Sequence, residues 1–121
     1  VSNVTIVEAQ NGVRHWVATA FGKEAADDVT ERNHRFLEEA LELVQSAGCT
    51  KYEAVQLVDY VYNRPAGEVA QEAGGTLSTL MALCSAHQLS LADCFLTEHM
   101  RCWNDIEQIR TKQAAKPKMR P

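Results

Sequence analysis

No apolar run in this sequence approaches the roughly 20 residues of a membrane-spanning helix. The stretch Val1 to Gln10 lacks the basic-then-apolar order of a signal peptide. These two absences predict a soluble, cytoplasmic protein that has no membrane partner. Positive charge is not in excess either: 12 Lys and Arg stand against 16 Asp and Glu, for a net charge of -4. Nucleic-acid binders concentrate positive charge, so phosphate-backbone binding is excluded as the main purpose, although a single anionic ligand remains accessible through a metal. The four cysteines, Cys49, Cys84, Cys94 and Cys102, include no Cys-x-x-Cys pair and suggest no disulfide scaffold. They read as reduced core thiols. Cys84 with His87 and Cys94 with His99 do not have common zinc spacing. A phosphate-cradling glycine loop and a Ser, Cys or His nucleophile motif are likewise missing. Strand-period alternation is confined at most to Val4 to Val7.

What is present is helical periodicity. At 121 residues with 45% hydrophobic and 23% charged residues, the composition suits one globular core. Residues 1–113 are expected to form a single all-α domain. Val13, Trp16, Val17, Ala20 and Phe21 fall on one helical face, with Asn11 as a cap and Gly22 as a stop. Asp28-Val-Thr-Glu31 is a capping box that opens a second helix, ending before Gly48. Thr50-Lys-Tyr-Glu53 opens a third, which stops near Asn63. Pro65 suits the first turn of a fourth, continuing to His87. Its Gly74-Gly75 pair implies a need for bare backbone, either for close packing or for a ligand. Ser90 caps a fifth, through Ile109. The basic segment 114–121 is expected to be a loose tail. The expected fold is a helical bundle of four to five helices with short antiparallel connections.

The chemically suggestive residues are carboxylates. Glu39 and Glu42 are three apart, and Glu38 and Glu42 four apart, so all three share one side of the second helix. Glu68 and Glu72 are likewise four apart on the fourth. Like charges at these spacings repel, and a hard divalent cation such as Mg²⁺, which prefers carboxylate oxygens, relieves them. A solvated acidic face has the same pattern, since Phe36, Leu37, Ala40, Leu41, Leu43, Val44 and Ala47 form one apolar arc with the glutamates outside it. In the fourth helix, small and apolar residues on both sides suggest burial between neighbours, so that its two glutamates need a partner or a cation.

The order Glu38-Glu39-x-x-Glu42, an intervening helix, then Glu72-Ala-Gly-Gly75 over roughly Asp28 to Arg110 resembles the MazG-like superfamily of all-α nucleoside triphosphate pyrophosphohydrolases. The resemblance implies a dimer or tetramer that hydrolyses a nucleoside triphosphate to monophosphate and pyrophosphate with Mg²⁺, or alternatively Mn²⁺. It implies Glu39, Glu42 and Glu72 as metal ligands and Glu38, with Glu39, as the catalytic acids of the motif. The family pattern places a Glu-x-x-Asp in the second element, and this sequence has Gly75 where the Asp belongs. Glu68, one turn earlier, is then a substitute ligand; otherwise the site binds fewer metals or retains nucleotide binding alone.

The remaining candidates each have two readings. Arg110, Lys112 and Lys116 can grip phosphates, or complement a helix dipole. Trp16 and Trp103 can stack on a base, but Trp16 lies at core spacing among Val13, Val17 and Ala20. His15 and His34 read as surface or structural residues. Helices with apolar residues on two sides imply a homodimer or homotetramer. The competing function is a non-catalytic helical oligomer that binds a nucleotide or a protein through a degenerate acidic site.

Overall fold

The computed structural model describes residues 3–119, and among these every regular element is helical. The all-α expectation holds, with seven helices instead of four or five. They are α1 (Ile6–Phe21), α2 (Lys23–Asp27), α3 (Val29–Ser46), α4 (Lys51–Tyr62), α5 (Val69–Ala86), α6 (Leu91–Asn104) and α7 (Ile106–Ala115).

Helix α1 starts earlier than the apolar spacing implies, because Thr5 and Glu8 form a reciprocal capping box. This box absorbs the Val4 to Val7 segment, leaving Asn11 inside the helix. Gly22, at φ +94°, ends α1. The additional helix α2 is anchored by Asp27, whose carboxylate pairs with Arg14 at 2.6 Å and Lys23 at 2.8 Å. Hydrogen bonds from Arg14 first and Lys23 second hold its pKa down at about 2. Thr50 and Glu53 form the expected full box at the start of α4, but at α3 only half of the expected box forms: Asp28 accepts from the Glu31 amide, while the Glu31 carboxylate is taken by Arg35 and Gln113.

Two boundaries differ from the sequence reading for local backbone reasons. Pro65 and Gly67 keep the chain irregular until Glu68, which is the extended N-cap of α5 at φ −93° and ψ 135°. The long fifth helix breaks at Asp105, where the poor helix formers Asn104 and Asp105 separate α6 from α7. Between α5 and α6 the axis turns by 102°. No single helix among the described residues is long and apolar enough to cross a membrane.

Packing centres on α1. It runs against α2, and α7 meets both α1 and α6. Trp16 and Ala20 are buried in α1, with Phe21 edge-on to the Trp16 ring at 5.5 Å. Opposite Gly12, His99 of α6 stacks on Phe95 at 5.1 Å and accepts a 3.3 Å hydrogen bond from Trp103 Nε1. His15 adds a ring contact to Trp103 at 5.4 Å, which gives it the structural role expected of it.

Elsewhere the chain is open. Helices α1, α3, α5 and α6 surround an apolar groove of about 870 Å³, with Val13, Val17, Phe36, Leu77, Leu80 and Phe95 on its walls. Every residue of α4 except Ala54 is exposed. The accessible surface is 9720 Å², against roughly 6,500 Å² for a compact monomer of this mass. Cys84 is the one buried thiol among the described residues. Cys49 and Cys102 are half-buried and Cys94 is exposed, so the expectation of four core thiols holds only in part.

The packing of His99 opposite Gly12 yields a stability test. A Cβ at Gly12 would stand 3.3 Å from His99 Nε2. Gly12→Leu should therefore cost about 1–3 kcal/mol by overpacking. Gly12→Ala should be near neutral, since its gain of about 1 kcal/mol in helix propensity offsets a small shift of His99. Urea unfolding of the two variants checks the difference.

Candidate functional site

Helix α3 carries the acidic motif, and the segment from α7 onward docks beside its first half. Gln113 Nε2 donates to Glu31 Oε1 at 2.6 Å, and Arg35 Nη2 donates to the Pro117 carbonyl at 3.2 Å. Lys116 Nζ reaches Glu38 Oε1 at 2.8 Å. The start of the basic tail is thereby tied to α3, while Arg120 and Pro121 lie outside the described residues. Arg35 also pairs with Glu31 at 3.3 Å and Glu38 at 3.2 Å. Sequence spacing already permits that relief, since arginine stands three residues before Glu38, although lysine is absent. The Lys116 hydrogen bond is the main influence lowering the Glu38 pKa, with added attraction from Lys116 and Arg35 against the cost of desolvation.

Glu39 behaves in the opposite way. It is exposed, yet the protein around its carboxyl raises its pKa by partial desolvation. Glu42 contributes the next largest upward push, Lys116 opposes it, and Glu98 and Glu38 add to it. The two neighbouring carboxylates thus differ: Glu38 is paired directly with cations, whereas burial and neighbouring acids outweigh the pull of Lys116 on Glu39. Glu98, on α6, has no place in the sequence motif. Arg101 holds it by a two-pronged contact at 2.7 and 2.6 Å and lowers its pKa. No local spacing signals its approach to Glu39, because the two lie on different helices brought together by the fold. Cys102, one turn beyond Glu98, also titrates within reach of Glu39, its thiol pushed up by burial and then by the charge of Glu98.

The α5 carboxylates remain apart from this group. Glu68 is the N-cap of α5 and makes no side-chain capping bond. Glu72 lies in the first turn, and its carboxylate sits over Gly67, where a Cβ would stand 2.9 Å from Glu72 Oε2. Among the described residues, no three His, Cys, Asp or Glu side chains gather closely enough to hold a metal ion. Glu39 and Glu42 have the hard-oxygen chemistry that suits Mg²⁺, but one copy does not assemble them with Glu68 and Glu72. At Gly74 and Gly75 an added Cβ meets nothing within 4 Å. No helix of the same copy approaches the bare backbone there.

The phosphate and base candidates mostly have structural partners. Arg110 donates to the carbonyls of Ala20 at 2.7 Å and Thr19 at 2.9 Å and pairs with Glu107. It satisfies the end of α1, so the dipole it complements belongs to a different helix from its own. Lys112 is exposed in the last turn of α7. Trp16 is a core residue, 8% exposed.

The raised Glu39 pKa has a definite sign. The native state binds this proton more tightly than the unfolded state, whose carboxyl titrates near 4.5. Stability is therefore lost as pH rises from that range through the higher native value. Glu39→Gln should stabilise the metal-free protein at neutral pH by roughly a few tenths of a kcal/mol, the scale of a like-charge helix pair. The gain should vanish near pH 4. Urea midpoints across this range test it, and a gain independent of pH would remove the charge explanation.

Comparison with protein-family models, with curated proteins and with solved structures gives no match to this chain.

Proposed function

We propose that this protein is a nucleoside triphosphate pyrophosphohydrolase that uses Mg²⁺ or Mn²⁺ and works as a homodimer or homotetramer. The observation that carries the reading is that Glu39 and Glu42, three residues apart on one face of α3, make no ion pair among the described residues, whereas Lys116 and Arg35 pair with Glu38. Adjacent carboxylates without a cation are the donor set a hard divalent ion binds. The spacing Glu38-Glu39-x-x-Glu42, followed by Glu72, supports the same reading through its resemblance to MazG-like proteins. A bound divalent ion supplies neutralisation of the charge on a phosphate chain. Of the chain's own residues, Glu39 and Glu42 hold the cation, and the Lys116 contact sets the position of Glu38 beside them. Glu68 and Glu72 join the site only when α5 moves or a second copy supplies its own α5, because a single copy leaves them separate.

A second reading draws on two observations. Glu38 is already engaged by cations, and position 75 offers no carboxylate. Together they favour a non-catalytic helical oligomer that binds a nucleotide or a protein through the remaining acidic residues.

The readings separate in a screen of the common nucleoside triphosphates with Mg²⁺ or Mn²⁺, following pyrophosphate release. The first expects at least one substrate, and a loss of roughly 100-fold in Glu42→Gln and Glu72→Gln, comparable to removing one key electrostatic group. Both variants should also lose the rise in melting temperature that a cation bound to the native state produces. No turnover of any nucleotide, with the metal response intact, selects the second reading. No turnover and no metal response reduces the carboxylates to a solvated face.

Gly75→Asp probes the missing ligand. The open space at this position admits the side chain, and aspartate is a better helix former than glycine. The expected result is tighter divalent-metal binding by calorimetric titration, with an unchanged or slightly higher melting temperature. Weaker binding in a normally folded variant points to Glu68 as the fourth ligand instead.

A further inference from the structure

We infer that the apolar groove between α1, α5 and α6 receives helix α4 of a second copy of this chain, and that its own α4 enters the partner's groove in return. The inference goes beyond the hydrolase reading, because it concerns which surfaces join and not what the acidic residues do.

Surface area is the first argument. The accessible surface exceeds that of a compact monomer of equal mass by about 3,200 Å², from 9720 Å² against roughly 6,500 Å². A standard stable interface removes about 800 Å² per partner, and obligate dimers remove more. One copy thus exposes several times the area that a stable dimer needs.

The second argument is that the two uncovered apolar features are complementary in form. The groove is concave and is lined by Val13, Val17, Leu77, Leu80, Met81 and Phe95 among others, and no residue of α4 lines it. Helix α4 is convex and bears an apolar arc of Ala54, Val55, Leu57, Val58, Val61 and Tyr62 on one side. Leu57 is 58% exposed and Val58 49%. At twelve residues α4 is about 18 Å long, too short to span a bilayer. Laying an amphipathic helix into an apolar groove is a recurrent mode of recognition.

Charge identifies the occupant further. Arg32, on the groove wall, has a buried Nε without a hydrogen-bond partner, and it makes no ion pair among the described residues. The other groove arginine, Arg14, is already held by Asp27. Asp59 and Glu53 flank opposite edges of this arc, and Glu53 is already held by the Thr50 capping box, which leaves Asp59 as the acid free to pair. Asp59 of the partner subunit is the acid that Arg32 lacks. Since groove and helix occur in the same chain, a two-fold arrangement satisfies both copies at once, with two identical contacts and a closed assembly.

Sedimentation of the full chain at micromolar concentration should show a dimer or a larger closed oligomer. Leu57→Glu places a charge on the helix, and Met81→Glu places one in the groove; both residues are exposed in the single copy, so helicity by circular dichroism should be unchanged. Each should raise the dissociation constant at least roughly tenfold, as burial of an unpaired carboxylate costs. An equimolar mixture of the two should associate more tightly than either alone, because the mixed pair keeps one intact α4 and one intact groove facing each other. A helix-to-helix contact instead gives no such recovery and overturns the inference, as does a monomeric parent. Charge exchange is an independent check: Arg32→Glu and Asp59→Arg should each weaken association, and the double variant should restore it. If the double variant is as weak as the worse single one, Asp59 is not the partner of Arg32. These measurements read association, so a failure of pyrophosphate release leaves them unaffected.

Discussion

Incomplete burial governs the rest of this structure. Helix α1 finds partners in α2, α6 and α7, and there Trp16 and Ala20 are closed off from water. Helices α3, α4 and α5 leave large apolar side chains outside, among them Phe36, Leu41, Leu57 and Val61. Hydrophobic burial is the dominant favourable term in folding. Surface of this kind is stable in water when another surface covers it, and the amphipathic character of α4 and the concave groove are two faces of that one constraint.

The same openness shapes the acidic residues. Docking of α7 and the following segment on α3 brings Lys116 to Glu38 and removes one carboxylate from the motif's free charge. Glu98 of α6 adds to the upward push on the Glu39 pKa, behind burial and Glu42. Helix α5, meanwhile, keeps Glu72 folded over its own N-terminal turn. Helix α5 also contributes Leu77, Leu80 and Met81 to the groove wall while carrying Glu68 and Glu72 at its N-terminal end.

Arg110 illustrates how a cation near the end of a helix acquires its role from tertiary contact. Its position in α7 suits either a phosphate or the dipole of its own helix. The fold places it instead at the carbonyls of Thr19 and Ala20, which close α1. A free helix end and a long bidentate donor meet across 90 residues of chain, and that satisfaction holds α7 against α1.

The elements legible in the sequence are those with a local physical cause. Thr50 and Glu53 bond to each other's backbone regardless of what surrounds them, so the start of α4 follows from the chain alone, as do the Asp28 cap and the Gly22 stop. The early start of α1 was equally local, in Thr5 and Glu8, but competed with the apolar spacing that begins at Val13. The break at Asp105 depends on small propensity differences that neighbouring helices can override, and the late start of α5 on which of two local signals prevails, Pro65 as a first-turn residue or Gly67 beyond it. The acidic spacing on α3 was likewise readable, because three and four residues bring side chains to one helix face. Which of those glutamates is paired with a cation, and which has its pKa raised, was not. That was decided by Lys116 and Glu98, residues distant in sequence whose approach to α3 depends on how whole helices pack.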